Sequence, residues 1–143
     1  MKVRDLLAHK GADVASISQE RSAADAMQLL RERGIGALVV TGAGRPLVGI
    51  VSERDFVRAM ATQGVAMLTM SVGDLMSSDV VTCSSDESVT HLMTLMTEER
   101  IRHVPVVDDG QLRGIISIGD VVKMRLSELE SDKQSLLDYV SSW

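Results

Sequence analysis

The chain repeats itself, and this constrains its fold more than any other feature of the sequence. Val3-Arg4-Asp5-Leu6-Leu7 returns as Val72-Gly73-Asp74-Leu75-Met76. Gly34-Ile35-Gly36-Ala37-Leu38-Val39-Val40 returns as Arg100-Ile101-Arg102-His103-Val104-Pro105-Val106. Gly49-Ile50-Val51-Ser52-Glu53-Arg54-Asp55 returns as Gly114-Ile115-Ile116-Ser117-Ile118-Gly119-Asp120. The offsets of 69, 66 and 65 residues keep the order with only small loop deletions. Three segments in register mark a duplication, so the chain is expected to fold as two copies of one supersecondary unit. In a chain of 143 residues neither copy has an obvious core of its own, and the two are expected to pack on each other.

The copies share one coarse pattern. In the first, a short helix over Val3–Ala8 leads to a brief strand near Val14–Ile17. Ser22 then precedes a helix in which Ala26, Met27, Leu29 and Leu30 recur at helical spacing. Gly34 stops that helix, Ala37–Thr41 reads as a buried strand, and Gly42-Ala43-Gly44-Arg45-Pro46 turns the chain into a strand over Leu47–Val51. A further helix runs from Ser52 to about Thr62. The second copy gives a strand over Val80–Cys83, a helix over Glu87–Glu99, a hairpin of His103–Val107 and Gln111–Ile116 around Asp108-Asp109-Gly110, and a helix from Ser117 onward. Gln63–Ser71 reads as a connector without strong periodicity. The repeats are taken as residues 1–66 and 67–125, with 126–143 as a C-terminal helical extension.

Composition removes several classes of function. Three aromatic residues, Phe56, Tyr139 and Trp143, and a net charge of −5 are the opposite of what a nucleic-acid binder needs for stacking and for phosphate attraction. No apolar run approaches the roughly 20 residues that cross a bilayer, and Met1-Lys2-Val3-Arg4-Asp5 lacks a secretory signal's apolar stretch. Cys83 is the single cysteine, which excludes an internal disulfide and fits a reducing cytoplasm. His9 and His91 have no partners at metal-ligand spacing, and no Gly-rich phosphate loop or nucleophile motif appears, so no catalytic constellation or catalytic cofactor is expected.

Two tandem β-α-β-β-α units, each ending its last strand in Gly-Ile-x-Ser-x-x-Asp, resemble a pair of cystathionine β-synthase (CBS) domains, a Bateman module. Arg102-His103-Val104-Pro105-Val106-Val107 also resembles the segment these domains carry before their closing hairpin. The resemblance runs from Val3 to about Arg125 and is to the stand-alone prokaryotic type. It implies an α/β (α+β) fold of two repeats related by a pseudo-two-fold axis, packed sheet to sheet, with a long C-terminal helix.

The Ser/Asp motifs carry the functional expectation. Ser52 with Asp55, and Ser117 with Asp120, have the spacing of a helix capping box. The same place presents backbone N–H groups and a positive dipole end that suit a phosphate. The resemblance implies that each serine contacts phosphate and each aspartate grips the ribose diol of an adenine nucleotide such as AMP, ADP, ATP or NAD. Aliphatic residues must then form the adenine slot: Ile50, Val51, Ile115 and Ile116 on the strands leading to the motifs, and, by resemblance, Ser16, Ile17, Thr82 and Cys83 on the first strand of each copy. Arg102 and His103 replace Gly36 and Ala37 of the first copy, and a guanidinium's planar fork suits phosphate. Arg54 is a further phosphate candidate.

Beyond the repeats, Val122, Leu126, Leu129, Lys133, Leu136, Val140 and Trp143 alternate steps of four and three, an a/d-like seam broken by Lys133. It either lies on its own subunit or pairs with a second copy, and the resemblance to a family that associates in flat discs favours a homodimer. The expectation is therefore a cytoplasmic, homodimeric sensor that binds adenine ribonucleotides and acts on an unidentified enzyme or transporter. The competing expectation is an interaction scaffold whose Ser/Asp motifs are only helix caps.

Overall fold

The computed structural model describes residues 1–11 and 13–143. The first repeat contributes α1 (Val3–Lys10), β1 (Ser16–Ser18), α2 (Ala23–Arg33), β2 (Ala37–Gly42), β3 (Arg45–Ser52) and α3 (Glu53–Gln63). The second contributes α4 (Val72–Leu75), α5 (Val89–Glu99), β4 (His103–Asp108), β5 (Gln111–Ser117) and α6 (Ile118–Ser141). Local chemistry sets most boundaries. Ser22 and Ser88 cap α2 and α5 by accepting the N–H of Asp25 and of His91. Gly34 ends α2 in the left-handed conformation. Each hairpin turns through two residues at positive φ, Ala43-Gly44 and Asp109-Gly110, the pattern whose twist matches paired strands.

The two sheets differ. In the first, β1 runs parallel to β2 and β2 antiparallel to β3; in the second, β4 and β5 form a two-stranded ladder. The strand expected over Val80–Cys83 shrinks to one bridge, with Cys83 N–H donating to the Pro105 carbonyl at 3.1 Å and Val107 N–H to the Cys83 carbonyl at 2.8 Å. The cause lies in one residue. Val39 N–H donates to the Ala15 carbonyl in the first repeat, and its counterpart Pro105 has no N–H to give Val81. The segment Gln63–Ser71 is likewise more ordered than its sequence suggests: Gly64–Thr69 is a 3₁₀ turn that buries Met67 completely.

The two repeats exchange their leading helices. One core holds Leu38, Val40, Val51 and Phe56 of the first repeat together with Met67 and Val72. The other holds Leu92, Val104, Val106 and Ile116 of the second repeat together with Val3 and Leu6. The crossing is fastened by matching backbone bonds. Val3 N–H donates to the Glu87 carbonyl and Val89 N–H to Met1, while Val72 N–H donates to Arg21 and Ala23 N–H to Met70. So each repeat closes its core with a helix from the other, which is how two units of this size attain stable packing. The glycine of each Gly-Ile-x-Ser motif serves this crossing: a Cβ on Gly49 would lie 2.8 Å from the Ser77 carbonyl oxygen, and one on Gly114 would lie 2.6 Å from Leu7 Cδ2.

The repeats also meet along β3 and β5. Only the start of α6 is packed, through Val121 and the partly covered Met124, and every residue from 129 onward is exposed. Val122, Leu126, Leu129, Leu136 and Val140 are each at least half exposed, so the apolar seam is not covered by its own chain. No helix among the described residues is long and apolar enough to cross a membrane.

Candidate functional site

Each Ser/Asp motif sits where the closing strand of a hairpin enters a helix, and each forms a cap. At the start of α3, Asp55 Oδ2 accepts the Ser52 N–H at 2.8 Å and the Ser52 hydroxyl at 3.2 Å. At the start of α6, Asp120 Oδ2 accepts the Ser117 N–H at 2.8 Å, while Ser117 Oγ accepts the Asp120 N–H at 3.1 Å. The first helical N–H groups are also engaged, Glu53 donating to the Gly36 carbonyl and Ile118 to the Arg102 carbonyl. Capping thus occupies one carboxylate oxygen of each aspartate. Among the described residues, Oδ1 of each accepts no hydrogen bond, and an aspartate with a free oxygen at a cleft edge can accept hydroxyl groups.

Asp55 and Ser52 open on a cleft of about 410 Å³, within the range of small-molecule sites. Its apolar lining is Ile50 with Val80, Val81 and Ile101; Arg54, Arg58, Arg100 and His103 line it too, together with the carboxylates of Asp79 and Glu99. A second space of about 370 Å³ adjoins it, bringing Ser52 and Ser117 together with Arg54, Arg100, Arg102 and His103. Glu53 also lies here, so the groove carries one carboxylate among its cations. Arg54 Nη1 donates to the Arg100 carbonyl at 3.3 Å, tying α3 to the end of α5. Burial, reinforced by the charges of Lys10 and Arg102, holds His103 below its ordinary pKa and favours the neutral imidazole.

The second motif is arranged differently. Asp120 opens between α1 and α6, beside Lys10, Lys123 and Met124. Lys10 Nζ donates to Asp120 Oδ2 at 2.7 Å and to the Ile115 carbonyl at 2.6 Å. Burial tends to raise the Asp120 pKa, but the Lys10 hydrogen bond and the two Ser117 bonds outweigh it and hold it low.

Several expected contacts are corrected by side-chain alternation and by the shortened strand. Ile50 and Ile115 are half-buried, but Val51 and Ile116 are wholly buried in the two cores, because successive residues of a strand face opposite sides. Ile17 and Cys83 are also core residues. Ser16 and Ile17 border a separate hollow with Arg21 and Thr41. Thr82 is exposed, and the residues that reach the Asp55 cleft are Val80 and Val81, just upstream. The Cys83 thiol is pushed up to about 12 by burial, with Glu87 and Asp108 adding to the shift, so it is inert as a nucleophile.

Sequence reasoning missed Arg58, Arg100 and Lys10. Arg100 carried a signal, a bulky cation aligned with the helix-ending Gly34; Lys10 carried none, since its partner lies 110 residues away. Among the described residues, no three His, Cys, Asp or Glu side chains converge to hold a metal ion.

The family model described as "CBS domain" matches twice, over residues 3–62 and 72–127. A CBS-domain containing protein from Agrobacterium tumefaciens has the same fold, with a TM-score of 0.85 and 47% identity over 87% of this chain and 99% of that one. A mitochondrial CBS domain-containing protein of Arabidopsis thaliana is 38% identical over 81% of this chain, which spans 58% of that relative's length. The CBS domain pair of protein MJ0100, solved in complex with 5′-methylthioadenosine and S-adenosyl-L-methionine, is 26% identical with a TM-score of 0.78, covering 90% of this chain and 98% of that one.

Proposed function

This chain belongs to the CBS-domain family, and on that premise we propose that it is a regulatory module holding an adenine ribonucleotide in the cleft closed by Asp55. The observation that carries the reading is the free Oδ1 of Asp55 in a cleft lined by the aliphatic Ile50, Val80 and Val81 and by three arginines, with Asp79 and Glu99 among them. A ribose diol fits the carboxylate, a flat base fits Ile50, Val80 and Val81, and one or more phosphates fit Arg54, Arg58, Arg100 and His103. The adenosyl ligands of MJ0100 lend this support, since both contain a ribose diol and an adenine. Occupancy shifts the relation between the two repeats, and through it an enzyme or transporter in the same cell; no bond is made or broken. A homodimer is part of the reading, supported by the uncovered seam of α6.

A scaffold reading has one observation in its favour: both aspartates are engaged as caps. Thermal unfolding separates the two. AMP at a hundredfold excess over its Kd stabilises a one-site protein by about 2.7 kcal/mol, so the melting temperature should rise by several degrees. The 2′-deoxy analogue should raise it clearly less. Equal shifts for both, or none for either, would favour the scaffold.

A further inference from the structure

We infer that Lys10 weakens the second cleft as a site for an uncharged nucleoside: its ammonium is bonded to the Asp120 carboxylate that would hold the diol, whereas the carboxylate of Asp55 carries only its own cap. The inference rests on the adenosine-binding reading of the Ser/Asp motifs and adds a determinant that the motifs themselves lack.

The argument is a broken symmetry. In the first cleft, Ile50 exchanges two backbone bonds with Ser77, at 3.0 and 2.9 Å. The chain of the opposite repeat thereby satisfies the Ile50 carbonyl through its own N–H and leaves Asp55 to face open space. In the second cleft, the counterpart carbonyl, that of Ile115, receives Lys10 Nζ instead. The same ammonium reaches on to Asp120 Oδ2, which already accepts the Ser117 N–H. A side chain therefore replaces a backbone group and, in doing so, sets a positive charge against the aspartate's capping oxygen.

The cavities agree. Asp55 shares its cleft with Ser52 and Ile50, whereas Asp120 lines a space with Lys10 between α1 and α6 that Ser117 and Ile115 do not line. A neutral diol entering there meets a carboxylate whose charge is already paired with an ammonium: Oδ1 alone remains to accept it, and engaging both oxygens means displacing a charge-assisted bond. Among the described residues, no cation stands at hydrogen-bond distance from Asp55 in the first repeat.

The test is titration calorimetry with adenosine on the full chain. Wild type should bind one equivalent per chain, with any second site about tenfold weaker or more, the scale of a charge-assisted bond. Lys10→Met should gain a second site and narrow that gap by about tenfold. Asp120→Ala in the Lys10→Met background should remove the gained site, and Lys10→Arg, which keeps the charge, should behave as wild type. Two equal sites in wild type, or a Lys10→Met protein that titrates as wild type, would overturn the proposal while leaving adenosine binding intact. Loss of binding in Asp55→Ala identifies the first site and shows that the underlying reading holds. If adenosine binds to none of these proteins, or Asp55→Ala binds it unchanged, that reading fails and the role of Lys10 falls with it.

Discussion

Arg100 occupies in the second repeat the left-handed, helix-ending position that Gly34 occupies in the first, at φ 55° against 62°. An arginine is strained there where a glycine is not, and its side chain lines the Asp55 cleft. Strain of this kind at a cleft points to a functional constraint. Arg100→Gly should therefore stabilise the protein by about 1 kcal/mol while weakening its binding of AMP. Chemical denaturation and calorimetry on one preparation check both signs. A variant that is less stable than wild type, or that binds AMP unchanged, would contradict this account.

The motif glycines predict an asymmetric response to alanine. At Gly49 the new Cβ meets the Ser77 backbone oxygen, which is held by the two bonds to Ile50; at Gly114 it meets the far end of the Leu7 side chain, which can turn aside. Gly49→Ala should cost about 1–3 kcal/mol and Gly114→Ala distinctly less. Urea midpoints of the two variants measure the difference, and equal losses would argue against the close approach at Gly49.

Stability should depend on His103 in mildly acidic solution. Burial, with Lys10 and Arg102 adding to it, lowers the imidazole pKa below its ordinary value of 6.5 in the fold, while Glu53 and Asp120 act in the opposite direction. The unfolded chain then binds a proton that the native one refuses. The His103 contribution is accordingly complete above the unfolded pKa and is lost as pH falls below it toward the folded value. His103→Gln should show a shallower loss of stability between about pH 7.5 and about pH 5 than wild type. Identical pH slopes for the two proteins would remove His103 from the account.

The final helix should be separable from the repeats. Neither core draws on a residue beyond Met124, and residues 129–143 are exposed throughout. Removing residues 131–143 should leave a cooperative unfolding transition in place and weaken self-association, because it deletes Leu136, Val140 and Trp143 of the seam. Light scattering on the truncated and complete chains checks this, and an unchanged assembly would place the contact elsewhere.

The duplication, the hairpins, the caps at Ser22 and Ser117, and the two Ser/Asp motifs were legible because each is local: a few adjacent side chains and one backbone turn determine it. Along β3 and β5 both residues of each adjacent pair, Ile50-Val51 and Ile115-Ile116, were expected in the slot, where strand alternation admits one of each. That Ile50 and Ile115 face outward while Val51 and Ile116 are buried depends on which side the rest of the chain packs. The shortened strand near Cys83 was within reach of sequence reasoning, since Pro105 lacks the N–H that Val39 supplies. The exchange of α1 and α4 between repeats belongs to the tertiary structure alone. An apolar stripe states that a helix must be covered, and two homologous cores offer it nearly the same cover. Lys10 is the extreme case. Nothing in an exposed lysine at the end of a short helix names an aspartate far along the chain, and only the fold brings their charges within 2.7 Å.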